Sequence, residues 1–168
     1  MNTPFILIGG LVLLGLWLIA LYNGLVRLRN HCRESWADID TELKRRYDLI
    51  PNLVQTVQGY AAHEREVLQR VTEARARAAG STGSPATQAA DENQLVGALR
   101  RLFVLVERYP ALQADQHFRA LQQELVITED RIAAARRFYN GNVRDYNTRT
   151  QVFPSNLVAA LGGFAPED

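Results

Sequence analysis

Cysteine is almost missing from this sequence. Cys32 stands alone, so no disulfide can form within the chain, and a zinc site built on paired cysteines is excluded. Lysine is as scarce, with Lys44 the single one, and arginine supplies the remaining positive charge. No charge of one sign dominates: Lys and Arg number 19 against 18 Asp and Glu, so nothing in the balance points to nucleic acid as a partner. Strand-like alternation of apolar and polar residues is absent, which leaves an all-α reading. No glycine-rich phosphate loop occurs, and no serine or cysteine sits in a nucleophile-elbow context. His63-Glu64 opens like the zinc-protease motif, but Val67 stands where the second histidine belongs, one helical turn on. His31, His63 and His117 lie far apart, whereas a zinc site needs three or four converging ligands. The expectation is a protein without cofactor, metal site or catalytic set, and therefore not an enzyme.

Charge is also missing from the whole N-terminal stretch, residues 1–26. Residues 5–22 read FILIGGLVLLGLWLIALY, and as a helix they rise about 27 Å, close to a hydrocarbon core of about 30 Å. A cleavable signal peptide would have a basic start and small residues at its exit, and neither is present. A buried soluble helix would show a polar face, and this one has none. Residues 1–22 are therefore read as a transmembrane anchor and the lipid bilayer as the first partner. Arg27, Arg29 and Arg33 follow at once, with nothing basic before the segment. Positive residues stay cytoplasmic, so the N-terminus is expected outside and the body inside, where a free Cys32 also fits.

Past the anchor, apolar residues recur in steps of three and four: Leu25, Leu28, Cys32, Trp36, Ile39, Leu43, Tyr47, Ile50, Val54, Val57, Tyr60, Val67, Leu68 and Val71. One helix is expected through these positions, fading near Ala79. Residues 80–91, GSTGSPATQAAD, read as a flexible connector, after which Asp91 and Gln94 form a capping box for the next helix. That helix is expected to bury Leu95, Leu99, Leu102, Phe103 and Val106 and to end at Tyr109-Pro110. Asp115 is placed as the cap of a third long helix with a stripe of Phe118, Leu121, Leu125, Ile132, Ala135, Tyr139, Val143, Tyr146 and Phe153. Pro154 stops it, and Ser155 starts a short helix ended by Gly162-Gly163. The fold class is all-α: a transmembrane helix continuing into an antiparallel bundle of long helices, residues 23–164, with a tail at 165–168.

Two polar stretches interrupt this pattern. In RRYDLIPNLV, residues 45–54, a proline falls inside a helical phase, where it costs about 3 kcal/mol. The apolar phase survives across Pro51, so a bend within one helix fits better than an end. Lys44, Arg45, Arg46 and Asp48 before the proline, and Asn52 after it, read as a solvated face with Asp48 paired to Arg45 or Arg46. The alternatives are a surface for acidic lipid, or a binding notch built on freed carbonyls, with His63 and Arg136 as further contributors. The second stretch, residues 136–147, carries asparagine and glycine unfavourable in a helix interior, so packing must compensate. The candidate interaction or structural residues are thus Lys44, Arg45, Arg46, Asp48, Pro51, Asn52, Tyr60, Arg136, Tyr139, Asn140, Asp145, Tyr146 and Asn147.

Several blocks carry a resemblance. YNGLVRLRN (22–30), LKRRYDLIPNLVQTVQGYAAHE (43–64), ALQADQHFRALQQEL (111–125), TEDRIAAARRFYNGNVRDYNT (128–148) and FPSNLVAALGGF (153–164) closely resemble the LemA family, in order and along nearly the whole chain beyond the anchor. The resemblance implies a bacterial single-pass inner-membrane protein with a cytoplasmic body of long helices and no accepted catalytic motif. It also implies company: relatives commonly neighbour a zinc-dependent membrane protease of the HtpX type, and one branch resembles magnetosome membrane components. Two roles follow as expectations. One is a scaffold that self-associates as a homo-oligomer, aided by Gly9, Gly10 and Gly15 in the anchor. The other is an adaptor for a membrane protease or other inner-membrane proteins.

Overall fold

The computed structural model describes residues 3–82 and 85–167; Met1 and Asn2 of the anchor, residues 83 and 84 of the expected connector, and Asp168 of the tail lie outside it. All regular structure among the described residues is helical: α1 (Thr3–Tyr60), α2 (Arg65–Ala79), α3 (Pro85–Val106), α4 (Pro110–Ala114), α5 (Gln116–Gln151) and α6 (Ser155–Gly162). The chain divides into two compact units, Met1–Ile39 with Ala134–Asp168, and Asp40–Ala133.

The second unit is a four-helix arrangement made by the later part of α1, α2, α3 and the early part of α5. Its directions follow from its hydrogen bonds. The Arg75 Nε of α2 donates to the Tyr47 carbonyl of α1 at 3.1 Å, so α2 folds back along α1. Glu92 near the start of α3 meets Tyr47, while Arg108 and Tyr109 after its end meet Glu64, so α3 runs parallel to α1. Tyr60 meets Asp115 and Arg46 meets Glu129, which sets α5 antiparallel to α1. Neighbours in sequence thus pack antiparallel, as short connections require. The core is Ile50, Leu53 and Val57 of α1, Leu68 and Val71 of α2, Leu95, Leu99 and Leu102 of α3, Leu112, and Phe118, Leu121 and Leu125 of α5.

The first unit joins the early part of α1 to the late part of α5 and to α6. Leu25 and Cys32 pack with Tyr146, Ala159 and Phe164. Its apolar N-terminal stretch is long enough to cross a membrane, and none of that window is buried against the rest of the protein.

Helix α1 passes through Pro51 without interruption, as the preserved phase predicts. It does not continue to Ala79, however: the chain turns at 61–64. No proline or glycine marks that turn. Tertiary contacts hold it, because Ala61 is buried and the Glu64 carboxylate accepts from Arg108 at 2.9 Å and Tyr109 at 3.2 Å. The start of α3 also differs from expectation. It begins at Pro85, inside the stretch read as connector, and proline suits a first helical position because its missing N–H is not needed there. Asp91 therefore sits within the helix and caps nothing; its carboxylate accepts from the Ser81 hydroxyl at 2.7 Å. Asp115 does cap α5, accepting from the Phe118 amide at 2.8 Å. The short α4, again opened by a proline, lies where only a helix end was expected. Phe153 belongs to no core, being 75% exposed, and Thr128 is buried in the gap of the α5 stripe, its hydroxyl returned to the Glu124 carbonyl.

Candidate functional site

Pro51 has no N–H, so the carbonyl four residues earlier, that of Tyr47, loses its helical donor. The Arg75 side chain supplies the replacement from α2. The carbonyl expected to open a notch is thereby closed, and Pro51 itself faces outward while Ile50 and Leu53 beside it are buried. The basic run next to it is not one solvated face. Lys44 and Arg45 are exposed, but Arg46 is 1% exposed and forms ion pairs with Glu92 and with Glu129, the latter at 2.7 Å. The Tyr47 hydroxyl also donates to Glu92, so one carboxylate joins two consecutive residues of α1 to α3. Arg45 pairs with Glu42 at 3.7 Å, and the pairing expected between Asp48 and Arg45 or Arg46 is replaced by these contacts. Sequence alone misses Arg46 because its signal is that of its neighbours; only its place on the buried phase, between Leu43 and Ile50, separates it.

A cleft of about 660 Å³ flanks this cluster, with Asp40, Lys44, Asp48, Arg75 and Glu92 among its walls. Burial raises the Asp40 carboxyl above its ordinary range. Asn52 and His63 are exposed and do not line it. Tyr60 is half exposed, and its hydroxyl donates to Asp115 at 2.9 Å. That bond raises the phenol and, after the Phe118 amide, helps hold the Asp115 carboxyl below its usual range.

The same unit carries a feature mostly off the expected stripes, with Phe103, expected to be buried, only partly so. Val96, Phe103 and Val104 of α3 and Val126 of α5 line an apolar groove of about 510 Å³, with Glu107, Glu129 and Asp130 on its rim. Val104 and Val126 are well exposed. The available signal was that these valines fall off the core phase of their helices.

In the first unit the asparagine-rich stretch of α5 is mostly structural. Tyr139 stacks edge-on against Trp36 at 5.2 Å, and Asn142 Nδ2 donates to the His31 carbonyl at 3.3 Å. The buried Tyr146 hydroxyl donates to the Ala165 carbonyl at 2.9 Å. Asn147 pairs both ways with the Glu167 backbone, at 2.7 and 2.9 Å, as a strand neighbour does. These bonds offset the poor helix propensity of the asparagines and fasten the C-terminal segment. Arg136, Asn140 and Asp145 are exposed and remain available for contact. Desolvation raises the Cys32 thiol, and Glu167 adds to the effect, which leaves a buried, poorly nucleophilic sulfur. Among the described residues no three His, Cys, Asp or Glu side chains gather as a metal site does.

The LemA family model matches residues 35–168. The chain is 27% identical over 172 aligned positions to magnetosome proteins MamQ 1 and MamQ 2 of Paramagnetospirillum magneticum, covering 88% of this chain and 63% of theirs. It is 28% identical over 140 positions to Protein LemA of Metamycoplasma hominis, covering 82% of this chain and 63% of that one. The chain thus spans a little under two thirds of the length of these relatives.

Proposed function

Because the chain belongs to the LemA family, we propose that this membrane-associated helical protein is a non-enzymatic scaffold that self-associates in the bacterial inner membrane. In this reading residues 1–22 anchor it, residues 23–164 form a cytoplasmic body, residues 165–168 are a tail, and the N-terminus lies outside. The arginines at 27, 29 and 33 support that orientation, since positive residues flanking a span stay on the cytoplasmic side. The observation that carries self-association is the open apolar groove beside Val104 and Val126, which offers a second copy an exposed apolar surface to cover. Gly9, Gly10 and Gly15 support it too: a Cβ added at any of them meets nothing, and small residues in a span let another helix approach closely. Native mass spectrometry of the full chain in mild detergent is expected to show species larger than one chain, diminished by Val104→Glu with Val126→Glu. A monomer at every concentration overturns the reading.

A second reading, an adaptor for a membrane protease or other inner-membrane protein, rests on the exposed polar residues that the packing does not consume. Lys44, Arg45, Asp48 and Asn52 in one unit, and Arg136, Asn140 and Asp145 in the other, remain at the surface. Under this reading Lys44→Glu with Arg45→Glu removes proteins that otherwise co-purify; an unchanged set of companions discards it.

A further inference from the structure

Helix α6 shows its apolar side chains to the outside. Leu157 and Leu161 of the helix and Phe153 of the turn before it are 57%, 92% and 75% exposed, while Ser155 and Ala159 on the other side of the helix are buried. No charged side chain occurs between Arg149 and Glu167, so the seventeen residues around and including α6 offer water nothing ionic. Such a face is out of place on a surface helix in water, where apolar residues turn inward.

Its position accounts for it. Leu18, Ile19 and Tyr22 of the apolar stretch line one shallow crevice together with Val158, Leu161 and Gly162. The junction is closely fitted: Tyr22 and Phe164 meet edge to face at 5.3 Å, and a Cβ at Gly162 would fall 2.7 Å from the Phe164 ring. The Arg29 guanidinium lies over that ring at 5.0 Å. Gly163, at φ 69°, ends the helix in the left-handed conformation that lets the chain turn back there.

We propose that α6 and the turn before it form a second membrane-contacting element, seated in the boundary between headgroups and acyl chains, with Phe153 of the turn and Leu157 and Leu161 of the helix as its lipid-facing side chains. The proposal rests on the reading of residues 5–22 as a membrane span. The occupant of the face is lipid and not a second copy, because the face is continuous with the span: an acyl chain against Leu18 and Ile19 lies in the same crevice as Leu161. Interfacial helices bury an apolar face about 5–10 Å into this boundary. Here the opposite face needs no cationic residues, because protein covers it.

The test uses the full chain, with Cys32→Ala, in phosphatidylethanolamine–phosphatidylglycerol vesicles. Single cysteines carry an environment-sensitive fluorophore at Leu157→Cys, Leu161→Cys, Val12→Cys within the span, or Asn93→Cys on the body. The labels at 157 and 161 are expected to lose fluorescence to lipids with a nitroxide high on the acyl chain, more than to lipids with one at the chain end. They should resist aqueous iodide, while the label at 12 responds most to the chain-end nitroxide and the label at 93 to iodide alone. Labels at 157 and 161 open to iodide and untouched by lipid nitroxides, with the label at 12 still quenched by lipid, overturn the proposal and leave the span standing. Labels shielded from both quenchers show protein over the face and overturn it equally. A label at 12 untouched by any lipid nitroxide removes the span itself, and the proposal falls with it.

Discussion

Lys44, Arg45 and Arg46 are consecutive, yet their surroundings differ as much as side chains can. Arg46 is buried between Glu92, itself buried, and Glu129, which is 43% exposed; removing one partner of a buried ion pair typically costs about 3–5 kcal/mol, and here Glu92 is the charge left desolvated. Arg46→Ala is expected to lose about that much in denaturant unfolding, while Arg45→Ala changes little; equal small losses would contradict the enclosed geometry. The second single-residue dependence joins Pro51 to Arg75 through the Tyr47 carbonyl. Arg75→Ala removes that carbonyl's donor beside the open cleft, at a cost of about 0.5–1.5 kcal/mol. In a Pro51→Ala background residue 51 regains an N–H for it, and the cost of Arg75→Ala is expected to fall toward zero. A double-mutant cycle that shows no coupling rejects the link. Asp115 gives a pH signature. The Phe118 amide and then the Tyr60 hydroxyl lower its pKa below the ordinary 3.8. The carboxylate therefore supports the start of α5 fully above that ordinary value, and the support is lost as pH falls through the lower folded value. The Phe118 amide shift in an acid NMR titration is expected to move with its midpoint below 3.8, and Asp115→Asn should abolish the movement; a midpoint above 3.8 contradicts the cap.

At the scale of elements, the periodic stripes were enough to place the long helices, because a three-and-four spacing leaves one face for the core. Asp115 and Gly162-Gly163 were readable too, each being a residue type that a helix end demands. Other boundaries depend on contacts far away in sequence. The turn at 61–64 contains no breaking residue and is held by Arg108 and Tyr109, more than forty positions on. The opening of α3 was hidden in a stretch whose small polar residues resemble a linker, although Pro85 is a valid first helical residue. At the end of α6, Gly162 is a matter of space and not of backbone angle. Gly162→Ala places a methyl against the Phe164 and Tyr22 rings and is expected to destabilise the first unit, within the roughly 1–3 kcal/mol usual for overpacking. Denaturant melts of that variant check it, with Gly141→Ala as the comparison, since a Cβ there meets nothing.

For the whole molecule, the sequence made the class plain: an uncharged N-terminal run, helical periodicity throughout, and no constellation of reactive side chains. What it could not reveal was which polar residues of the two signature stretches are interior. Arg46, Tyr146 and Asn147 turn out to be fastenings between segments, while Lys44, Asn52 and Asn140 stay at the surface. Nothing in residue type separates the two groups; phase on the helix does so in part, and partners from distant segments decide the rest. The unbroken course of α1 from the apolar run into the packing positions Leu25, Cys32 and Ile39 carries one more consequence. With no loop between them, span and packing face share a single angular phase. Each residue inserted after Tyr22 turns the span by about 100° and lifts it by about 1.5 Å, whereas seven residues bring the phase back to within about 20°. The span is thus a coordinate as well as a tether, fixing the bearing from which this part of the protein meets a neighbour in the plane of the bilayer.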